Sequence, residues 1–140
     1  MSNSPTLGAT IEETNKALIE GAYNAFAHSD IPAVLEVFAD DILWHVPGRG
    51  VLSRDYHGHA GVLGFLQHFM QLSEGTFRIQ IGEVFAKGDR VIVLVTESAT
   101  RRGREWSSPQ VHAWTVKNGK AIVFWQFQGD QQTEDEFWSL

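Results

Sequence analysis

Apolar residues recur at helical spacing through the first half of the chain and at strand spacing through the second. Thr10 followed by Glu13 forms a capping-box pattern, and Ile11, Leu18, Ala22, Ala25 and Phe26 then share one side of a helix running to about His28. Asp30 is placed to cap a second helix that tolerates Pro32 in its first turn, with Val34, Leu35 and Phe38 as its apolar stripe and an end near Ala39. A short strand, Ile42 to Val46, precedes the Pro47-Gly48 break. The third helix runs from about Ala60 to Leu72, with Val62, Phe65, Leu66, Phe69 and Met70 on one side and Gln67, His68 and Gln71 on the wet one.

From Thr76 the period changes to two. Phe77, Ile79 and Ile81 alternate with Arg78 and Gln80, Arg90 to Thr100 is rich in β-branched residues, and two more strands follow at Glu105 to Val116 and Ala121 to Gln128. Lys87-Gly88-Asp89 and Asn118-Gly119 supply the turns of an antiparallel meander, and Thr133 with Glu136 predicts a last helical turn that presents Phe137 and Trp138. Helices gathered first and strands last predict an α+β fold: three N-terminal helices packed in a strongly curved antiparallel sheet, forming a cone whose wide end can hold a ligand.

The 140 residues fit one domain, spanning residues 10 to 140, behind a polar leader at residues 1 to 9 that is expected to be disordered. The leader has neither a basic start nor an apolar run, so it predicts no signal or membrane segment, and the default compartment is the cytoplasm. The absence of cysteine rules out disulfides and thiolate metal sites. A formal charge of -6 argues against a nucleic-acid partner. Arg101, Arg102 and Arg104 surround Gly103 as an exposed hairpin tip rather than an anion site.

Candidate chemistry crowds into Phe38 to Phe65, where His45, His57 and His59 stand among Trp44, Val46 and Tyr56, as at the rim of an apolar pocket. Strand parity sends Trp44 and Val46 inward and His45 outward, unless a bulge beside Pro47 re-aims it. Tyr56 can donate to a ligand oxygen, and His59 can line the rim or cap the third helix. His57 and His59 lack a well-spaced third ligand, so no metal is expected. In the later strands His112 shares a face with Trp114 and can act as base or neutral donor, or can be a structural histidine. Asp130 can be a carboxylate at the cavity mouth or a turn and capping residue. Phe65, Trp114, Trp125 and Phe127 are expected to complete the apolar wall.

The helix before Asp30 and Pro32, FADD at Phe38 to Asp41, WHVPG at Trp44 to Gly48, YHGH at Tyr56 to His59 and the closing hairpin ending in Asp130 resemble the SnoaL-like branch of the nuclear transport factor 2 superfamily. The resemblance spans Thr10 to Trp138. That superfamily also includes ketosteroid isomerases, limonene epoxide hydrolases, scytalone dehydratases and polyketide cyclases. The isomerase's base aspartate matches Val46, its protonated aspartate falls at about His112, and its tyrosine partner falls near Ala22 or Tyr23. The epoxide hydrolase positions carry Ser98, Thr100 and Phe127 instead of the charged set. The nearest equivalents of the cyclase carboxylate and histidine are Asp130 and His112. Resemblance also implies a homodimer paired sheet to sheet.

Two functions follow as expectations. One is a small enzyme without cofactor or metal, an isomerase, cyclase or dehydratase acting on a hydrophobic carbonyl or polyketide-like molecule. In it His112 or Asp130 moves a proton while Tyr56 or His112 polarises the oxygen. The other is a non-catalytic module that binds a hydrophobic small ligand or dimerises.

Overall fold

A computed structural model describes residues 10–140, so the leader expectation for residues 1–9 falls outside the described residues. The chain runs through α1 (Ile11–Ala27), α2 (Ile31–Val37), β1 (Phe38–Val46), β2 (Arg54–His57), α3 (Gly58–Leu72), β3 (Arg78–Lys87), β4 (Arg90–Arg101), β5 (Arg104–Lys117), β6 (Lys120–Gln128) and α4 (Gln131–Trp138). One six-stranded sheet has the order β2-β1-β6-β5-β4-β3. The β1 and β6 strands pair in parallel, and every other neighbour is antiparallel.

The helix starts follow their capping residues. Thr10 Oγ1 accepts from the Glu13 backbone N–H at 3.0 Å and Glu13 returns the bond to the Thr10 N–H at 2.9 Å. Asp30 accepts from the Ala33 N–H at 3.2 Å, and Pro32 sits in the first turn of α2, where no N–H is needed. The Asn118-Gly119 turn has both residues at positive φ (52° and 74°), the mirror-image turn that matches strand twist.

The structure departs from the sequence pattern mainly around β1. Helix α2 stops at Val37, and Phe38, expected on its stripe, begins a strand much longer than Ile42 to Val46. Between the pairs Phe38↔Ala121 and Leu43↔Val123, β1 advances five residues while β6 advances two, so Ala39, Asp40 and Asp41 bulge out of register. Phe38 and Trp44, six residues apart, both stand on the core side with ring centroids 5.5 Å apart. Arg54 to His57, to which the sequence pattern assigns no element, forms a short edge strand on β1, with Trp44 opposite Tyr56 and His45 opposite Asp55.

The helices cover the concave face, where Phe38, Trp44, Phe65, Phe69, Phe77, Trp114 and Phe124 are buried together. Each such ring is worth roughly 1.5–3 kcal/mol by area removed from water. On β6 the buried side carries Phe124 and Gln126, whereas Trp125 and Phe127 are 41% and 50% exposed on the outer face. Their expected place in the cavity wall is therefore overturned. Val123 to Phe127 is apolar on both parities except at Gln126, and only cross-strand pairing decides the face: Trp114↔Phe124 and His112↔Gln126 go inward, Ala113↔Trp125 and Val111↔Phe127 outward.

Candidate functional site

A cavity of about 60 Å³ lies between α1, α3 and the concave face of the sheet. Its apolar wall is built from Phe38, Trp44, Phe65, Phe69, Trp114 and Phe124, and its polar lining comes from Tyr23, Glu97, His112 and Gln126. Tyr23, Phe26, Leu66, Phe77 and Ile79 also line a wider depression of about 970 Å³ between α1, α3 and the start of β3. The inner space holds no more than a small polar head, and the outer one accepts the body of a ligand.

The polar residues reach this place by register. On β4, Val91, Val93, Val95 and Glu97 alternate inward; on β5, Gln110, His112 and Trp114 do the same; Gln126 lies opposite His112. Tyr23 descends from α1, one residue past the buried Ala22. Glu97, Gln110, His112 and Gln126 are all at least nine-tenths buried, so each needs partners.

His112 Nε2 faces two acceptors, Glu97 Oε2 at 3.1 Å and Gln110 Oε1 at 3.3 Å, so in the neutral ring this nitrogen carries the hydrogen. Nδ1 then accepts from the Tyr23 hydroxyl at 2.6 Å, and that hydroxyl accepts from Trp114 Nε1–H at 3.1 Å. Gln126 Nε2 donates to Glu97 Oε2 at 3.4 Å and to Gln110 Oε1 at 3.1 Å. Burial pushes the Tyr23 phenol well above its ordinary range; the Trp114 bond opposes this and the charge of Glu97 adds to it. The phenol therefore keeps its proton and serves as a donor.

The network continues away from the cavity. Gln110 Nε2 donates to Glu134 Oε1 at 3.2 Å, and Trp138 Nε1–H donates to Glu134 Oε2 at 2.9 Å. Burial, then the nearby Glu97 charge, raises the Glu134 carboxyl to about 8, against the two hydrogen bonds it accepts.

Of the residues expected from sequence, Trp44, Phe65, His112 and Trp114 line the cavity. The others lie elsewhere. Asp130 is exposed and caps α4, accepting from the Thr133 N–H at 3.1 Å and its hydroxyl at 2.9 Å; the backbone bond foremost holds its carboxyl below the usual range. It does not share the cavity with His112, so the His112–Asp130 pairing is set aside. Tyr56 donates to the Leu52 carbonyl at 2.7 Å, packs on Phe65 behind the wall, and has its phenol raised by burial. Val46 turns into a separate crevice of about 20 Å³ beside α4. His45 faces outward, stacked on Trp125 with centroids 3.8 Å apart and bonded to Asp55 at 2.5 Å. His59 Nε2 donates to the Phe38 carbonyl at 2.8 Å, and His57, not His59, is the α3 cap residue, without a side-chain bond. Among the described residues no three His, Asp or Glu side chains gather as a metal requires.

Glu97, Gln110, Gln126 and Glu134 were missed in the sequence, and Tyr23 entered only through resemblance. One signal was available: Glu97 continues the parity of Val91, Val93 and Val95, placing a carboxylate on an otherwise apolar face.

The SnoaL-like domain model matches residues 19–124. The chain therefore belongs to the SnoaL-like family, within the nuclear transport factor 2 superfamily. Bal32a from a soil-derived mobile gene cassette is similar with a TM-score of 0.87 and 27% identity, over 91% of this chain and 98% of its own. TerC, co-crystallised with polyporic acid, is 30% identical with a TM-score of 0.81, over 91% and 99%. An NTF2-like protein of unknown function from Burkholderia pseudomallei is 29% identical with a TM-score of 0.81, over 91% and 98%.

Proposed function

We propose that the protein is a cofactor-independent enzyme that moves a proton next to the carbonyl of a hydrophobic, polyketide-like small molecule, in the manner of an isomerase, cyclase or dehydratase. The observation that carries this reading is the buried line Glu97–His112–Tyr23 at the closed end of an apolar cavity. Glu97 is the base. His112 and Gln126 hold one of its oxygens and leave the other, Oε1, without a partner. Tyr23 is the donor to the ligand oxygen, competing for that proton with His112 Nδ1, which positions the phenol. A carboxylate and a neutral donor set into hydrocarbon walls divide the work as proton abstraction from a ketone requires. The co-crystal of TerC supports a small-molecule ligand for this chain.

The test uses tetralone, a flat ring ketone, in deuterated water, with exchange of the protons beside the carbonyl followed by NMR. The wild type is expected to accelerate exchange, and Glu97→Gln or Tyr23→Phe to slow it by roughly a hundredfold or more. Tetralone that binds without exchanging would instead make the protein a non-catalytic binder.

The outer sheet face supports a homodimer. Trp125, Phe127 and Phe85 are exposed there, and Leu94, Val111 and Phe127 line a groove of about 570 Å³. A second copy covers this face through the same residues, as twofold pairing requires. Among the described residues no helix is long and apolar enough to cross a membrane.

A further inference from the structure

Every Asp and Glu of the chain lies within the described residues, because residues 1 to 9 carry none. The carboxylate partner of any cation must therefore stand among them. Ion pairs among the described residues engage His45, His59, His112 and Lys117, and none engages an arginine. For the other arginines this matters little, since they are exposed and water solvates them. Arg101 is different: it is 7% exposed, and its Nε is sealed from solvent without a partner. The exposed hairpin tip expected from the sequence thus contains a buried guanidinium. Such a group does not lose its charge, and a charge this deep is ordinarily paired.

Strand register sets a second guanidinium beside it. Arg101 continues the inward parity of Val95, Glu97 and Ala99 on β4, and the residue directly paired with it on β5 is Arg104. Opposed residues of an antiparallel pair project from the same face, so two like charges meet at the end of this hairpin, an arrangement unfavourable by itself. The carboxylates beside the hairpin do not relieve it. Glu74 Oε2 accepts from the Arg102 backbone N–H at 3.0 Å. Glu105, one residue past Arg104, has the opposite parity and lines a depression with Ser98 and Thr100.

We propose that the end of the β4–β5 hairpin is an anion site, in which the Arg101 and Arg104 guanidinium groups together hold a phosphate dianion, free or as a monoester. The double charge follows from the two cations to be balanced. Phosphate follows from the guanidinium fork, whose paired N–H groups match two oxygens of one ion. Arg101 supplies the fixed, buried half of the site and Arg104 the exposed half. Neither arginine lines the cavity assigned to proton transfer, so the site stands apart from that chemistry. A chain with a formal charge of -6 does not attract anions generally, and uptake of phosphate therefore reports a local site.

The test is calorimetric titration with inorganic phosphate, phenyl phosphate and acetate at about pH 8, where phosphate is doubly charged, with ionic strength held constant by sodium chloride. Inorganic phosphate is expected to bind about tenfold or more tighter than acetate, and to shift the Arg101 Nε–H resonance in NMR as it saturates. Arg104→Gln, at an exposed position, weakens it about tenfold, the scale of a hydrogen bond to a charged group. Arg101→Lys keeps a cation but loses the fork, with a loss at least as large. Should that variant not fold, Arg104→Gln and the Nε–H shift decide.

A wild type that takes up no phosphate against the chloride background overturns the proposal, as does binding that leaves the Arg101 Nε–H unmoved or survives Arg104→Gln undiminished. Acetate as tight as phosphate overturns the dianion. Phenyl phosphate separates the two sources: tighter binding than inorganic phosphate supports a monoester as the occupant, and equal or weaker binding supports free phosphate.

Discussion

The two faces of β5 and β6 reverse the usual distribution of residues. Inward, beneath the helices, stand Gln110, His112 and Gln126; outward stand Val111, Trp125 and Phe127. Burying the first set costs free energy unless every group is partnered, and leaving the second set in water forgoes apolar burial. Neither choice helps the isolated chain to fold. The inner set is compensated by a network reaching from Tyr23 to Trp138, and the outer set would be compensated only by the homodimer proposed above. Polar groups are thus partnered beneath the helices on one face, while apolar rings lie open on the other.

Cutting the inner network at its centre gives the largest effect. His112→Leu leaves Glu97, Gln110 and Tyr23 facing hydrocarbon, and unfolding in denaturant should show a loss of about 3–5 kcal/mol. A loss as small as that of an ordinary surface change would mean that the network is not holding the inner face.

The next effect depends on pH. Burial, with the nearby Glu97 charge, pushes the Glu134 carboxyl up to about 8 in the folded protein, from an ordinary value of 4.5 in the unfolded chain. Between these values the folded protein keeps a proton that the unfolded chain releases, so stability falls as pH rises and the penalty is complete above the folded value. The fall is on the order of a few kcal/mol, and unfolding curves across that range should flatten in Glu134→Gln. An unchanged slope would assign the pH dependence to other groups.

Breaking the outer face should leave the inner one working. Trp125→Lys with Phe127→Glu is expected to weaken self-association on the order of a hundredfold in sedimentation, while tetralone binding in the cavity is retained. Loss of both together would mean that the faces are not independent. The smallest change lies off both faces: Asp130→Ala removes the α4 cap, costing about 1 kcal/mol of stability. It should not alter tetralone exchange, whereas a slowed exchange would return Asp130 to the chemistry.

The fold was legible wherever periodicity was long and one-sided, as in α1, α3 and the meander from β3 to β6. It was not legible at Phe38, which fits a helical stripe and a strand equally well, nor in Arg54 to His57, too short and polar to stand out as a strand. The site was half legible. His112, Trp44, Trp114 and Phe65 follow from parity and apolar character. Asp130 attracted attention as a carboxylate near a mouth, although a Thr three residues on is also the signature of a helix cap. Trp125 and Phe127 misled for a physical reason: an aromatic residue in a strand signals burial against something, and here the helices are not what covers it.

The sheet order has a consequence for how the molecule is made. Apart from the four-residue edge strand β2, the sheet partner of β1 among the described residues is β6, so the first strand and the last meet across some eighty residues of chain, with Leu43 paired with Val123. Trp44 gains its stacking partner Phe124 only at that moment. Contacts this distant in sequence close late, because loop entropy must be overcome before they form. The cavity wall, which needs Trp114 and Phe124, is therefore completed only as the final hairpin docks.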